Sequence, residues 1–121
     1  MNESNRQKKF GRLIQKEISE ILQREVKVQG EPMLTVTVVR GTPDLKSARI
    51  YISVFPDGKG QAAVDELNER IWEVRNALGR RVRQQLRFVP EVQFFLDDTL
   101  QEVAYMDRLF SKIGPIAGEE E

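Results

Sequence analysis

"NALGRRVRQQLRFVPEVQFF", Asn76 to Phe95, joins two patterns of different period. Its first part continues an apolar stripe at three- and four-residue spacing: Leu67, Ile71, Val74, Leu78 and Val82. That spacing predicts a long helix from about Ala62 to Leu86. Pro90 ends it. The last part opens an alternating run, Val92 to Asp98, which predicts a strand with Val92, Phe94 and Leu96 inward. At the join, Arg80, Arg81, Arg83 and Arg87 fall within eight residues and no acid interrupts them. Gly79 stands directly before them, inside the helical pattern.

Upstream, residues from about Asn5 to Val26 read as a helix with Phe10, Leu13, Ile14, Ile18, Ile21 and Leu22 on one stripe. Ser4 to Gln7 has the form of a capping box. "MLTVTVVR", Met33 to Arg40, alternates Leu34, Val36 and Val38 against Thr35, Thr37 and Val39. "ARIYISVF", Ala48 to Phe55, places Ala48, Ile50, Ile52 and Val54 on one face. A short connection with Pro43 and Asp44 makes the pair a hairpin. Downstream, Thr99 to Phe110 is expected to form a last helix, with Thr99 to Glu102 as its capping box. The end, "IGPIAGEEE", reads as a disordered acidic tail. The order predicts one α+β domain over residues 1–112, with a three-stranded sheet, helices on one face and a tail over 113–121. The other sheet face carries Thr35, Thr37, Arg49, Tyr51, Ser53 and Gln93, and an antiparallel pair can leave such a face wet.

The chain has 121 residues, 40% hydrophobic and 31% charged, which suits one globular domain with a modest core. No apolar run approaches the ~20 residues that cross a bilayer, and the N-terminus lacks the apolar region of a secretory signal. A cytoplasmic location without membrane contact is expected. Cysteine and histidine are both absent. That removes disulfides, thiolate zinc sites and the commonest general base and metal ligand. No metal, cofactor or catalysis is expected.

Net charge is zero by cancellation. Residues 1–16 carry a net +4 and residues 75–90 a net +5, against −3 over 17–74 and −6 over 91–121. Two basic segments point to a negatively charged partner. In the second, Arg80, Arg83 and Arg87 would share a helical face and Arg81 would lie off it. Guanidinium groups at that spacing suit a phosphate track. They also suit a solvated helix end, where cations complement the dipole. In the first segment, Arg6, Lys8, Lys9, Arg12 and Lys16 are a second candidate contact or a solvated face. Gly79 either kinks the helix and frees backbone N–H groups for an anion, or lets another element pack closely. Asp97 and Asp98 read as helix-capping acids. Arg40, Arg49 and Tyr51 could offer charge and stacking to RNA from the strands. Trp72 and Phe88 are expected in the core.

The element order, αββααβ, resembles a type II KH domain, a nucleic-acid-binding fold whose GXXG loop grips a sugar–phosphate backbone. Here that junction holds no GXXG, only Ala77-Leu78-Gly79 within a kinked central helix, which resembles the bacterial ribosome-binding factor A family. "TPDLKSARIYISV", Thr42 to Val54, is similar to that family's Asp-Leu-x-x-Ala-x-Val-Tyr-Val-Ser stretch, with Ile50 and Ile52 for valines. "LRFVPEVQFFLDDTL", Leu86 to Leu100, is similar to its Leu-Arg-x-x-Pro-x-Leu-x-Phe-x-x-Asp-x-Ser segment, with Val92 for leucine and Thr99 for serine. The resemblance runs from about Gln7 to Leu109. It implies a monomeric, non-catalytic assembly factor. Such a factor binds free small (30S) ribosomal subunits or their precursors through rRNA, aids 16S rRNA processing and supports growth in the cold. An assembly GTPase is a further candidate partner. Arg80, Arg81, Arg83 and Arg87 would hold phosphates, Ala77 to Gly79 would shape the backbone site, and the first helix would add a contact. The rival reading is a module that docks an acidic protein without RNA.

Overall fold

The computed structural model describes residues 3–56 and 58–97. The expected last helix and the acidic tail lie outside the described residues. Helix α1, Asn5–Arg24, starts where the capping box places it. Ser4 Oγ accepts from the Gln7 N–H at 3.1 Å, and Gln7 Oε1 accepts from the Ser4 N–H at 2.9 Å. The stripe of α1 buries Phe10, Ile14, Ile18, Ile21 and Leu22. Strands β1, Met33–Gly41, and β2, Ser47–Phe55, pair antiparallel, and β3, Glu91–Leu96, adds parallel to β2. The sheet order is β1-β2-β3.

Between β2 and β3 run two helices, α2, Gly60–Glu69, and α3, Ile71–Val82. The central helix is interrupted as expected, but at Arg70 and not at Gly79. Arg70 leaves helical geometry at φ −103°, ψ 28°, while α3 runs unbroken through Ala77, Leu78 and Gly79. Ala77 and Leu78 face the core. A Cβ on Gly79 would stand 3.2 Å from Val89 Cγ2, so the missing side chain lets the segment before β3 lie against α3. The packing reading of Gly79 replaces the kink reading. Helix α3 also ends earlier than Leu86. The N–H groups of Gln85 and Leu86 both donate to Val82 O at 2.8 Å, closing the last turn.

The core lies between the sheet and the three helices. Phe94, Ile14, Ile18, Ile50, Ile52, Leu67 and Leu78 are among its fully buried side chains. Truncating Phe94 to alanine would cost about 3–5 kcal/mol. Of the expected inward row of β1, Val38 is displaced. The register shifts between Val36 and Val38, so Val36 opposes Ile52 but Val38 opposes Tyr51. This bulge turns Val38 to the open face and brings Val39 against the core in its place. Gly41 then faces inward, and a Cβ there would meet the Phe10 ring at 2.5 Å.

Side chains cover both sheet edges. Gln7 and Gln15 of α1 donate to the carbonyls of Gly41 and Val36 on β1. Asn68 of α2 pairs with the backbone of Phe94 in both directions, at 3.0 and 2.9 Å. Free edges invite pairing with other chains, and these amides occupy them.

Candidate nucleic-acid interface

The four arginines that follow Gly79 do not form one track. Arg80 and Arg81 lie in the last turn of α3, Arg83 caps it, and Arg87 follows outside the helix. Arg81 turns toward α1. Its Nη1 contacts Glu17 Oε1 at 3.1 Å and Glu20 Oε1 at 2.7 Å, and its Nη2 contacts Glu25 Oε2 at 3.0 Å. Glu17 is buried, the only charged residue in the described core. Arg80 reaches Glu25 Oε1 at 2.9 Å from a largely exposed position. The hydrogen bonds from Arg81 hold the carboxyls of Glu20 and Glu25 below the ordinary glutamate range. Glu17 and Glu20 in turn tighten the hold of Arg81 on its proton. The residue that fell off the expected arginine row is thus the joint between α3 and α1. Arg83 and Arg87 are exposed and form no ion pair among the described residues.

The junction where a KH domain carries its phosphate loop is occupied from within. Arg70 pairs with Glu66 and Glu73 at 2.8 Å each and donates to Lys27 O at 2.7 Å. The hydrogen bond from Arg70 holds the Glu73 carboxyl below its ordinary range. That of Glu66 is lowered first by the Gln29 N–H and then by Arg70. A cation locked between two carboxylates at the start of α3 offers no open phosphate cradle.

The cations of α1 are arranged differently. Lys8, Arg12 and Lys16 are four residues apart and form a row, with Lys9 beside it, on the face opposite Ile14 and Ile18. Arg6 lies off this row. All five are exposed. Lys16 sits 3.4 Å from Glu17 and 4.0 Å from Glu20. Arg6, Lys8, Lys9 and Arg12 make no ion pair among the described residues. Arg80 and Arg81 approach the C-terminal half of α1, whereas Lys8 to Arg12 occupy its N-terminal half. At 1.5 Å per residue, Lys9 and Glu25 are about 24 Å apart along the helix. There are two basic patches, and the structure does not merge them.

Two aromatic residues expected in the core are outside it. Trp72 is 69% exposed and Phe88 58% exposed. The guanidinium carbon of Arg75 lies 5.5 Å from the Trp72 ring centre, and Lys46 Nζ lies 5.8 Å from that of Phe88. Trp72 follows Ile71 directly and precedes Val74 by two, so it falls off the stripe that buries α3. That offset was visible in the sequence and outweighs the ring's apolarity.

These elements, the amphipathic α1 and the broken α2–α3 pair on a three-stranded mixed sheet, are found again in known proteins. A family model described as ribosome-binding factor A matches residues 6–110. The ribosome-binding factor A of Christiangramia forsetii is 34% identical over 123 residues, covering 99% of this chain and 94% of the relative. This chain belongs to the ribosome-binding factor A family. The crystal structure of ribosome-binding factor A from Thermus thermophilus superposes with a TM-score of 0.63 at 22% identity, covering 74% of this chain and 94% of that one. A homology model of the Thermus thermophilus factor, fitted into a cryo-electron-microscopy map of a 30S complex, matches with a TM-score of 0.54 at 24% identity, over 71% and 89% of the chains. The α1 row, Arg83, Arg87 and the Trp72 and Phe88 rings are among the side chains exposed on the surface of this chain.

Proposed function

We propose that this protein binds free small ribosomal subunits or their precursors through the rRNA backbone, as a cytoplasmic, non-catalytic, monomeric assembly factor. The observation that carries this reading is the row on α1. In a chain with no net charge, Lys8, Lys9 and Arg12 stand exposed and without acidic partners among the described residues, while Arg70 and Arg81 are closed in by glutamates. A helix face of that kind suits the regular phosphate spacing of folded RNA. The Thermus thermophilus factor, fitted into the map of a 30S complex, supports the choice of partner. Arg83 and Arg87 extend the contact at the other end of α3, with Arg80 as a partly engaged neighbour. Arg81, Ala77, Leu78 and Gly79 serve the fold. Support for 16S rRNA processing and for growth in the cold follows from the same role.

A sucrose-gradient profile of lysate tests the reading. The protein should sediment with free small subunits and be absent from translating ribosomes. Confinement to the top of the gradient at low salt would end the assembly reading. Survival of the association after ribonuclease treatment would favour an acidic protein partner instead.

A further inference from the structure

The face of the sheet turned away from the helices is chemically organised. Strand register places Arg40 of β1 directly opposite Arg49 of β2, and Arg49 beside Gln93 of β3. The next outward row is Val38, Tyr51 and Phe95. It exists because the bulge after Val36 turned Val38 outward, and it lies about 7 Å from the arginine row. The Tyr51 and Phe95 rings stack with centroids 5.4 Å apart and planes 27° from parallel. Like charges directly opposite each other on a sheet are destabilising. Arg40 has only a long contact to Glu3, at 3.8 Å, and Arg49 has no ion pair among the described residues. Arg40 and Arg49 line a hollow of about 460 Å³ together with Thr42, Ser47, Gln93 and one carboxylate, Glu91.

We propose that this open face is a second RNA site, which takes a single-stranded segment with a base over Tyr51 and Phe95 and the adjoining phosphate between Arg40 and Arg49. The inference rests on the RNA-binding reading above and adds to it the kind of RNA and the surface. Stacking suits single strands because their bases are free to leave a helix, and every base has a face to offer. An anion between Arg40 and Arg49 converts a repulsive cross-strand pair into a charge-assisted clamp. The α1 row lies on the far side of the sheet, so one molecule could hold folded rRNA on its helices and a single strand on its sheet. Charge and stacking together favour RNA over an acidic peptide, which would use the arginines and leave the rings idle.

The test is fluorescence anisotropy of a labelled short oligouridylate titrated with the full-length chain. Variants are Tyr51→Leu, Phe95→Leu, the pair Arg40→Gln with Arg49→Gln, and a charge-matched control, Arg24→Gln with Lys59→Gln, at two exposed cations away from both proposed contacts. Circular dichroism shows which variants fold. Tyr51→Leu and the arginine pair should each weaken binding about tenfold, and the charge-matched control should change it less. Phe95→Leu guards against misfolding of the tyrosine variant and should weaken binding in the same direction. The proposal is overturned if the wild type does not bind, if folded sheet variants bind like the wild type, or if the charge-matched control loses as much. Weaker binding in the arginine pair alone, with both ring variants binding like the wild type, would show a purely acidic-ligand surface and also overturn it. Co-sedimentation of the wild type with small subunits is read separately, so failure of the assembly reading is distinguishable from failure of this site.

Discussion

Arg81 on α3 and Glu17 on α1 meet at 3.1 Å, across a seam that buries the carboxylate and leaves the guanidinium partly open to water. Removing one member of such a pair leaves the other buried without compensation. Arg81→Gln should therefore destabilise the protein by about 2 kcal/mol, below the roughly 3–5 found for fully buried pairs because the rim of this network is wet. Urea melts measure it. Small-subunit affinity of the folded variant should match the wild type, since Arg81 faces α1 and no partner.

The same network sets a pH dependence. Glu20 and Glu25 have folded-state pKa values below their unfolded ones, chiefly through Arg81. As pH falls, the unfolded chain takes up these protons first. The stabilisation is therefore complete above the unfolded glutamate value of about 4.3 and is lost as pH falls through the lowered folded values. Urea midpoints of wild type and Arg81→Gln, followed downward from pH 7, should converge only in that acidic range. Convergence already near pH 6 would contradict the assignment.

Gly79→Ala separates packing from hinging. In an unbroken helix alanine gains about 1 kcal/mol of propensity, and its methyl presses on Val89 Cγ2 at 3.2 Å. The two effects oppose, so the single variant should shift stability by less than about 1 kcal/mol. In a Val89→Ala background the same change should stabilise by the full ~1 kcal/mol. Affinity for small subunits should not move in either background.

Trp72 is the only tryptophan, and its ring stands in water. The folded protein should emit at the long wavelength of a solvated indole and shift little on unfolding in urea. Trp72→Leu should change stability by no more than about 0.5 kcal/mol. A blue-shifted native spectrum would return the ring to the core.

Much of this architecture was legible, and its errors have local causes. Period alone located α1 and the three strands, because each has one buried face and a clear stripe. It could not locate the break at Arg70, where no glycine or proline marks the chain and the turn is held by Glu66, Glu73 and Lys27 O, partners from 27 to 73 in sequence. Nor could it find the bulge at Thr37, which Val36 and Val39 reveal only once β2 supplies the register. The site divided in the same way. Clustering of Arg80, Arg81, Arg83 and Arg87 was visible, but the acids that claim Arg81 lie 56 to 64 residues away in α1 and its cap. The α1 cations needed no distant partner, and their exposed face followed from the apolar stripe of the helix alone.

The central claim, that the exposed α1 row meets the rRNA backbone, is tested by the salt dependence of binding to purified small subunits. Each phosphate contact should contribute roughly 0.7–0.9 to the slope of log affinity against log salt. Lys8→Gln with Lys9→Gln and Arg12→Gln should flatten that slope by about 2 and weaken binding, while Arg81→Gln keeps the wild-type slope. An unchanged slope in the folded triple variant would place the RNA on another surface and contradict the account.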